Sequence, residues 1–434
     1  MRRRLATIAL AVTITLGAGV ALVLAGGVLG HTPDATAPVA EASTVDLLDL
    51  GINRAQERLR RLPGDWQTWA TLGMSYLERA RLSSDPTYYP KAEEAVRRSL
   101  EVRPVDNDQA LTALGALANA RHDFATAREQ ALAALAINPY SSEAYAVLGD
   151  AETQLGHPGA ATDAIQRVLD LRPALSGYAR ASYDLEQRGQ VGEATSFMRR
   201  ALDVALDRHD IAFCRNQLGD LALNVGDLGT ARSEYAAGLV ADPTSVSLRR
   251  GQARLAAMSG HLDEALGGYA VITRRMPTPG YLLEYAELLR AAGRDDEARA
   301  QLQLATAAHQ LFTANGGVDG LTGAAIAEAN GDIPAALRGA RTEWSRRQFV
   351  DVADALGWAL HLSNQDSEAL GYARRAVDTG ARNAGYAYHL GMIELALGDR
   401  VAARTHLNLA LQLNPQFSPV DAPLARAALA GLEA

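Results

Sequence analysis

The chain has 434 residues, 48% hydrophobic and 21% charged, with 38 Gly and 16 Pro. That composition excludes a disordered polymer and a low-complexity chain. A net charge of −8 offers no basic excess for nucleic acid, and the single cysteine, Cys214, excludes a disulfide framework and cysteine-ligated zinc or iron–sulfur sites. Length alone allows two to four domains, unless an internal repeat lets one elongated body grow. Only Lys91 is lysine among 42 basic residues, a bias that reads as the mark of a GC-rich bacterial genome.

Met1 to Arg4 form a short basic tip, followed by uncharged residues from Leu5 to Gly30. About twenty apolar helical residues cross a bilayer core, whereas the apolar stretch of a cleavable signal spans about 7–15. Residues 5–30 are therefore expected to be an uncleaved signal anchor in contact with the lipid bilayer. Secretion after signal cleavage is the alternative. No cysteine follows the run, so lipid modification there is not expected. Three arginines precede the span and the first base after it is Arg54, which predicts a cytoplasmic N-terminus and an extracytoplasmic body. Residues 31–44, rich in Pro, Ala and Thr, read as a flexible linker. Residues 45–65 contain an amphipathic segment suited to pack on the residues that begin at Trp66.

From Trp66 onward the chain repeats. Leu-Gly pairs recur at Leu72-Gly73, Leu114-Gly115, Leu148-Gly149, Leu218-Gly219, Leu356-Gly357 and Leu390-Gly391. Behind many of them a glycine turn, an alanine and a proline follow at fixed offsets, as in Gly226, Ala231 and Pro243. Units begin near 66, 108, 142, 175, 212, 246, 279, 317, 350 and 384, and most spacings lie within one residue of 34. Each holds two apolar-periodic segments joined by a turn. Small residues at positions 8 and 20 let the two segments approach, and proline at position 32 ends the second. The first unit carries about seven extra residues near Leu82–Pro90. The stretch from Thr306 to Gly320 falls off register and reads as a bend or extended turn, with the array in two blocks.

These residues resemble the tetratricopeptide repeat, over nearly everything from Trp66 to Pro415. The resemblance implies an all-α fold: a right-handed α-solenoid of about ten helix-turn-helix hairpins over residues 66–417, a C-terminal capping helix over 418–434, and one concave wall. Stacking is needed because a single hairpin cannot bury its apolar face.

With the repeat occupying residues 66–417, no segment remains for a separate catalytic domain, and the expected function is non-enzymatic. The Gly-rich stretch Asn315–Gly320 lacks the Lys-Ser/Thr of a phosphate loop and reads as a connector. The nine histidines lack metal-ligand spacing, and His122, His157 and His261 fall at turns. Cys214 has no nearby histidine to activate it. No cofactor is expected.

The resemblance further implies that first-helix positions 2, 5, 9 and 12 line the concave wall. Position 9 holds Met74, Ala116, Asp150, Tyr183, Asp220, Arg254, Glu287, Ala325, Trp358 and Met392, and position 5 adds Asn216, Arg250, Asp354 and Tyr388. Ten of these (Asp150, Tyr183, Asn216, Asp220, Arg250, Arg254, Glu287, Asp354, Trp358 and Tyr388) make up the candidate protein-binding groove, with Trp358 as a partly exposed anchor. The single lysine argues against the carboxylate-clamping mode of some family members. The expected function is a scaffold at the extracytoplasmic membrane face that holds proteins or peptides in its groove. The alternative is an accessory or substrate-recognition subunit of an envelope-assembly or glycosyl-transfer enzyme.

Overall fold

The computed structural model describes residues 44–433, and the anchor expected at 5–30 lies outside them. Among the described residues there are 22 helices and no strand, and no helix is long and apolar enough to cross a membrane. Helix α1 (Thr44–Arg61) packs on α2 (Trp66–Ser83), which opens the first of ten hairpins with α3 (Tyr88–Val102). The second to fifth hairpins are α4/α5 (Asp108–Ala120, Phe124–Ile137), α6/α7 (Ser142–Leu155, Pro158–Leu171), α8/α9 (Leu175–Gln187, Val191–Asp203) and α10/α11 (Arg208–Asn224, Leu228–Ala241). The sixth to eighth are α12/α13 (Val246–Met258, Leu262–Arg275), α14/α15 (Pro279–Ala291, Asp295–Ala314) and α16/α17 (Gly320–Ala329, Ile333–Arg346). The last two are α18/α19 (Val350–Leu362, Asp366–Asp378) and α20/α21 (Ala384–Ala396, Arg400–Leu413), and α22 (Asp421–Glu433) covers the end.

Local chemistry sets these boundaries. Aspartate caps several helix starts, and at Asp65, Asp123, Asp227 and Asp319 the cap accepts the backbone N–H of a threonine three residues on. Glycines 156, 189, 226, 260, 293, 331 and 398 turn the hairpins with positive φ, which a side chain resists. Inside the hairpins, a Cβ on Gly73 would lie 2.4 Å from Val96 Cγ2, and one on Gly219 2.3 Å from the Tyr235 ring. The facing alanines, such as Ala127, Ala194, Ala231 and Ala265, are completely buried. Small residues therefore set how closely the two helices of a hairpin approach.

Of the bend or extended turn expected between Thr306 and Gly320, the structure has only a short turn. Helix α15 runs unbroken to Ala314, and one core joins Ala298, Leu302 and Ala305 on it to Ile326 and Ala329 on α16. The apolar face continues through the off-register stretch, so only Asn315–Asp319 remain as connector, and the array is not split there.

The first helices of successive hairpins pack on one another, as α4 on α6, α10 on α12 and α18 on α20. The second helices are wedged between them on the outside, so the first helices form the inner wall of a curved ribbon. All hairpin turns lie on one rim of this ribbon and all inter-hairpin loops on the other. The ribbon coils until the rims meet. The turn of the second hairpin meets the loop after the seventh, where Val318 N–H donates to Arg121 O (2.8 Å) and Arg121 Nε to Asn315 O (3.1 Å). The third meets the loop after the eighth, with Gln348 N–H to Leu155 O (3.3 Å) and Arg347 to the Gln154 side chain. The fourth brings Gly189 against Gly380, and the fifth receives a bond from Asn414 Nδ2 to Leu223 O (2.9 Å). The offset is five hairpins at every step, so this seam joins two stacked coils.

Candidate functional site

The inner wall is built by the first helices, and several polar side chains on it reach a partner roughly one repeat away. Asp150 receives both guanidinium arms of Arg180 at 2.8 Å. Asp220 accepts from Asn216 Nδ2 (2.9 Å), the Tyr235 hydroxyl (2.7 Å) and Arg254 (3.1 Å). Arg250 grips Glu284, which also accepts from the Tyr269 hydroxyl at 2.8 Å. Burial works against both charges, but Arg250 stays well above its ordinary range and Glu284 below its own, because each neutralises the other. The wall is thus a ladder of desolvated ion pairs joining neighbouring hairpins.

Further along, Trp358 Nε1–H donates to Glu328 at 3.1 Å, and its ring stacks on His389 with centroids 4.1 Å apart. His389 Nδ1 lies 2.9 Å from Asp354. Burial lowers the imidazole pKa, but Asp354 outweighs it and the net shift is upward. Tyr388 packs between Trp358 and Phe417, and the Tyr386 hydroxyl donates to Asp351.

Trp358 is 4% exposed and Tyr388 1%. The expectation of a partly exposed tryptophan anchor is therefore corrected, because the neighbouring first helices α16 and α20 bring Glu328, Tyr388 and His389 onto the ring. Asn216, Asp220, Arg250 and Asp354 are buried as well, while Asp150, Tyr183, Arg254 and Glu287 keep partial exposure. Tyr183 on α8 packs against an apolar cluster of the opposite coil that includes Phe349, Val350 and Tyr386.

Several wall residues beyond the sequence expectation prove central. Glu186 and Glu328 occupy position 12 of their units and Asp351 position 2, so the same positional rule reaches them. Burial pushes Glu186 up to about 7, with Asn224 its hydrogen-bond partner. Burial likewise pushes Glu328 to about 8 and Asp351 to about 6. Glu287 is raised by burial and by the nearby Asp421 and Glu284, with Ser418 hydrogen-bonding to it. No positional rule finds Gln154, Arg347 or Glu343, because Arg347, paired with Glu343 four residues before it, reaches Gln154 only across the seam. A small recess on the inner face is bounded by Ser182, Tyr183, Glu186 and Gln217. Among the described residues, no group of three or more acidic, histidine or cysteine side chains is arranged to hold a metal. Burial pushes the Cys214 thiol up to about 12, where it is not a nucleophile at neutral pH.

No family model and no curated protein matches the chain. Among solved structures, it is similar to the anaphase-promoting complex hetero-tetramer Cut9–Hcn1 at 14% identity, over 90% of this chain and 96% of that one, with a TM-score of 0.40. It is similar to a tetratricopeptide repeat protein from Parabacteroides merdae at 15% identity, over 60% and 99% of the two chains, with a TM-score of 0.37. A third is the type IV pilus biogenesis factor PilW, at 17% identity over 49% and 94%, with a TM-score of 0.39.

Proposed function

We propose that the protein is a bacterial, tetratricopeptide-type scaffold without enzymatic activity. Residues 5–30 tether it in the membrane with the array outside the cytoplasm, and it holds a segment of another protein against its inner wall. The observation that carries this reading is the composition of that wall. The apolar cores lie between the helices, and the inner wall presents Asp150, Glu186, Asp220, Glu287, Glu328 and Asp351 against few cations, Arg180, Arg250 and Arg254 among them. Burying so many carboxylates carries a desolvation cost, and a basic partner segment would offset it. The chemistry of the partner is therefore basic, with apolar residues to meet Tyr183.

A photo-crosslinker placed at Arg254 or Glu287 in membranes should capture one protein. The same group at the outward-facing Val240, which is 84% exposed, should not capture it. Equal capture at both sites would sink the inner-wall reading. Location is tested separately: alkaline carbonate should leave the chain in membranes, and external protease should digest the array in spheroplasts. Complete release into the soluble fraction would show that there is no anchor.

A further inference from the structure

We propose that the seam between the two coils is a clasp, at which the array opens and shuts as packed half-coils, and that the shut form withholds the inner wall from a partner. Along the chain, hairpins are joined by continuous apolar cores, such as the one running from α12 through α16. Across the seam, polar and backbone bonds stand beside a few aromatic contacts, Phe312 on Tyr89 and His122 and Tyr183 on the cluster around Phe349. Among the described residues these form no continuous apolar core of the kind that joins α12 to α16. Arg121, Gln154 and Asn414 bond residues 194, 193 and 191 positions away. A solenoid folds through contacts between neighbouring repeats, so it does not need these bonds to hold its helices together.

The seam is nonetheless built to fit. A Cβ on Gly156 would lie 2.4 Å from Gln348 O, and one on Gly189 2.1 Å from Gly380 O. The matching turn glycines of the second coil, Gly260, Gly293, Gly331 and Gly398, would meet nothing within 4 Å. Gln348, directly after the helix cap, donates its N–H across the seam, and in the loop after the tenth hairpin, where Pro415 holds that place and has no N–H, the cap residue Asn414 donates its side chain instead. Shutting also gathers carboxylates that repel one another. Asp351 of the second coil lies near Glu186 of the first. The seam therefore holds the coil shut against a force that opens it.

The glycines supply a matched test. Gly156→Ala with Gly189→Ala strains two positive-φ turns and blocks the seam, whereas Gly331→Ala with Gly398→Ala strains two such turns in open space. Neutron scattering of the full chain in contrast-matched detergent should show a larger radius of gyration for the first pair than for the second, with equal helical circular dichroism. Equal radii would overturn the clasp. If the first pair fails to fold, an oxidised Arg121→Cys/Val318→Cys pair, placed where the two backbones already bond, takes over as the test. It should be more compact than its reduced form, and an unchanged profile would overturn the clasp. The clasp does not depend on the inner-wall reading, although its consequence does. Opening should raise crosslinking at Glu287 at least threefold and locking should lower it. Opening without that gain would leave the clasp standing and refute the inner wall as the binding surface.

Discussion

Trp358 shows how much one side chain on a coiled ribbon depends on its surroundings. Its indole stacks on His389, packs near Tyr388 and donates to Glu328, so truncation removes a large buried ring and leaves a carboxylate short of a donor. Replacement by alanine should lower stability by about 3–5 kcal/mol, as for buried aromatic residues generally. Urea unfolding followed by circular dichroism measures this, and an unchanged midpoint would show that the ring is not packed as described. Asp227 is the opposite kind of residue. It is exposed, and hydrogen bonds from the Thr230 side chain and backbone hold its carboxyl below the ordinary range. Asp227→Ala should cost about 1 kcal/mol through loss of the α11 cap, and Asp227→Asn should restore most of that loss.

At the scale of the element, glycine has two distinct uses within helices. Gly219 and Gly251 both face the Tyr235 ring, and a Cβ on either would come within 2.4 Å of it. Tyr235 is completely buried and hydrogen-bonded to Asp220, so it has no room to move aside. Gly219→Ala should therefore destabilise by about 1–3 kcal/mol, the usual cost of overpacking. Gly371 lies within α19, and a Cβ there would meet nothing within 4 Å. At that position alanine should stabilise by about 1 kcal/mol, since glycine is the poorer helix former. Opposite shifts in melting temperature for these two variants test the close approach of helices within hairpins. Shifts of the same sign would refute it.

For the molecule as a whole, closure makes stability depend on pH in an unusual direction. Buried carboxyls normally found in ion pairs lose stability as pH falls. Here burial raises Glu186 to about 7 and Glu328 to about 8, and it raises Asp351 and Glu287 as well. A carboxyl with a raised pKa binds more protons folded than unfolded, so its contribution is fully present below the unfolded pKa and is lost as pH rises through the folded one. His389, raised overall by Asp354 against burial, acts in the same sense, while His122, lowered by burial, opposes it only at the acid end. The protein should melt at a higher temperature at pH 6.5 than at pH 9 at constant ionic strength. Glu186→Gln with Glu328→Gln should flatten that difference. A higher melting point at pH 9 would contradict the burial of these groups.

The helical hairpins and their period of about 34 residues are legible in the amino-acid sequence, because they follow from interactions between residues near in the chain. Leu-Gly pairs set close helix approach, alanines face them, glycines turn the hairpins and aspartates cap the next helix. The inner wall is partly legible for the same reason: a fixed position in each repeat points to a fixed side of the ribbon, and that rule picks out Asp150, Asp220 and Trp358. The exposure of that wall is not legible. It depends on how far the ribbon coils, and small rotations between hairpins add up over five of them before the turn near Arg121 reaches Val318. No periodicity links residues about 190 positions apart, and the stretch that reads as off register, Thr306 to Gly320, is one of those that forms the seam. Packing between neighbouring first helices buries Trp358, and only the coiled arrangement sets Arg347 against Gln154 and turns Glu186 toward Asp351, because those two contacts require two coils brought together.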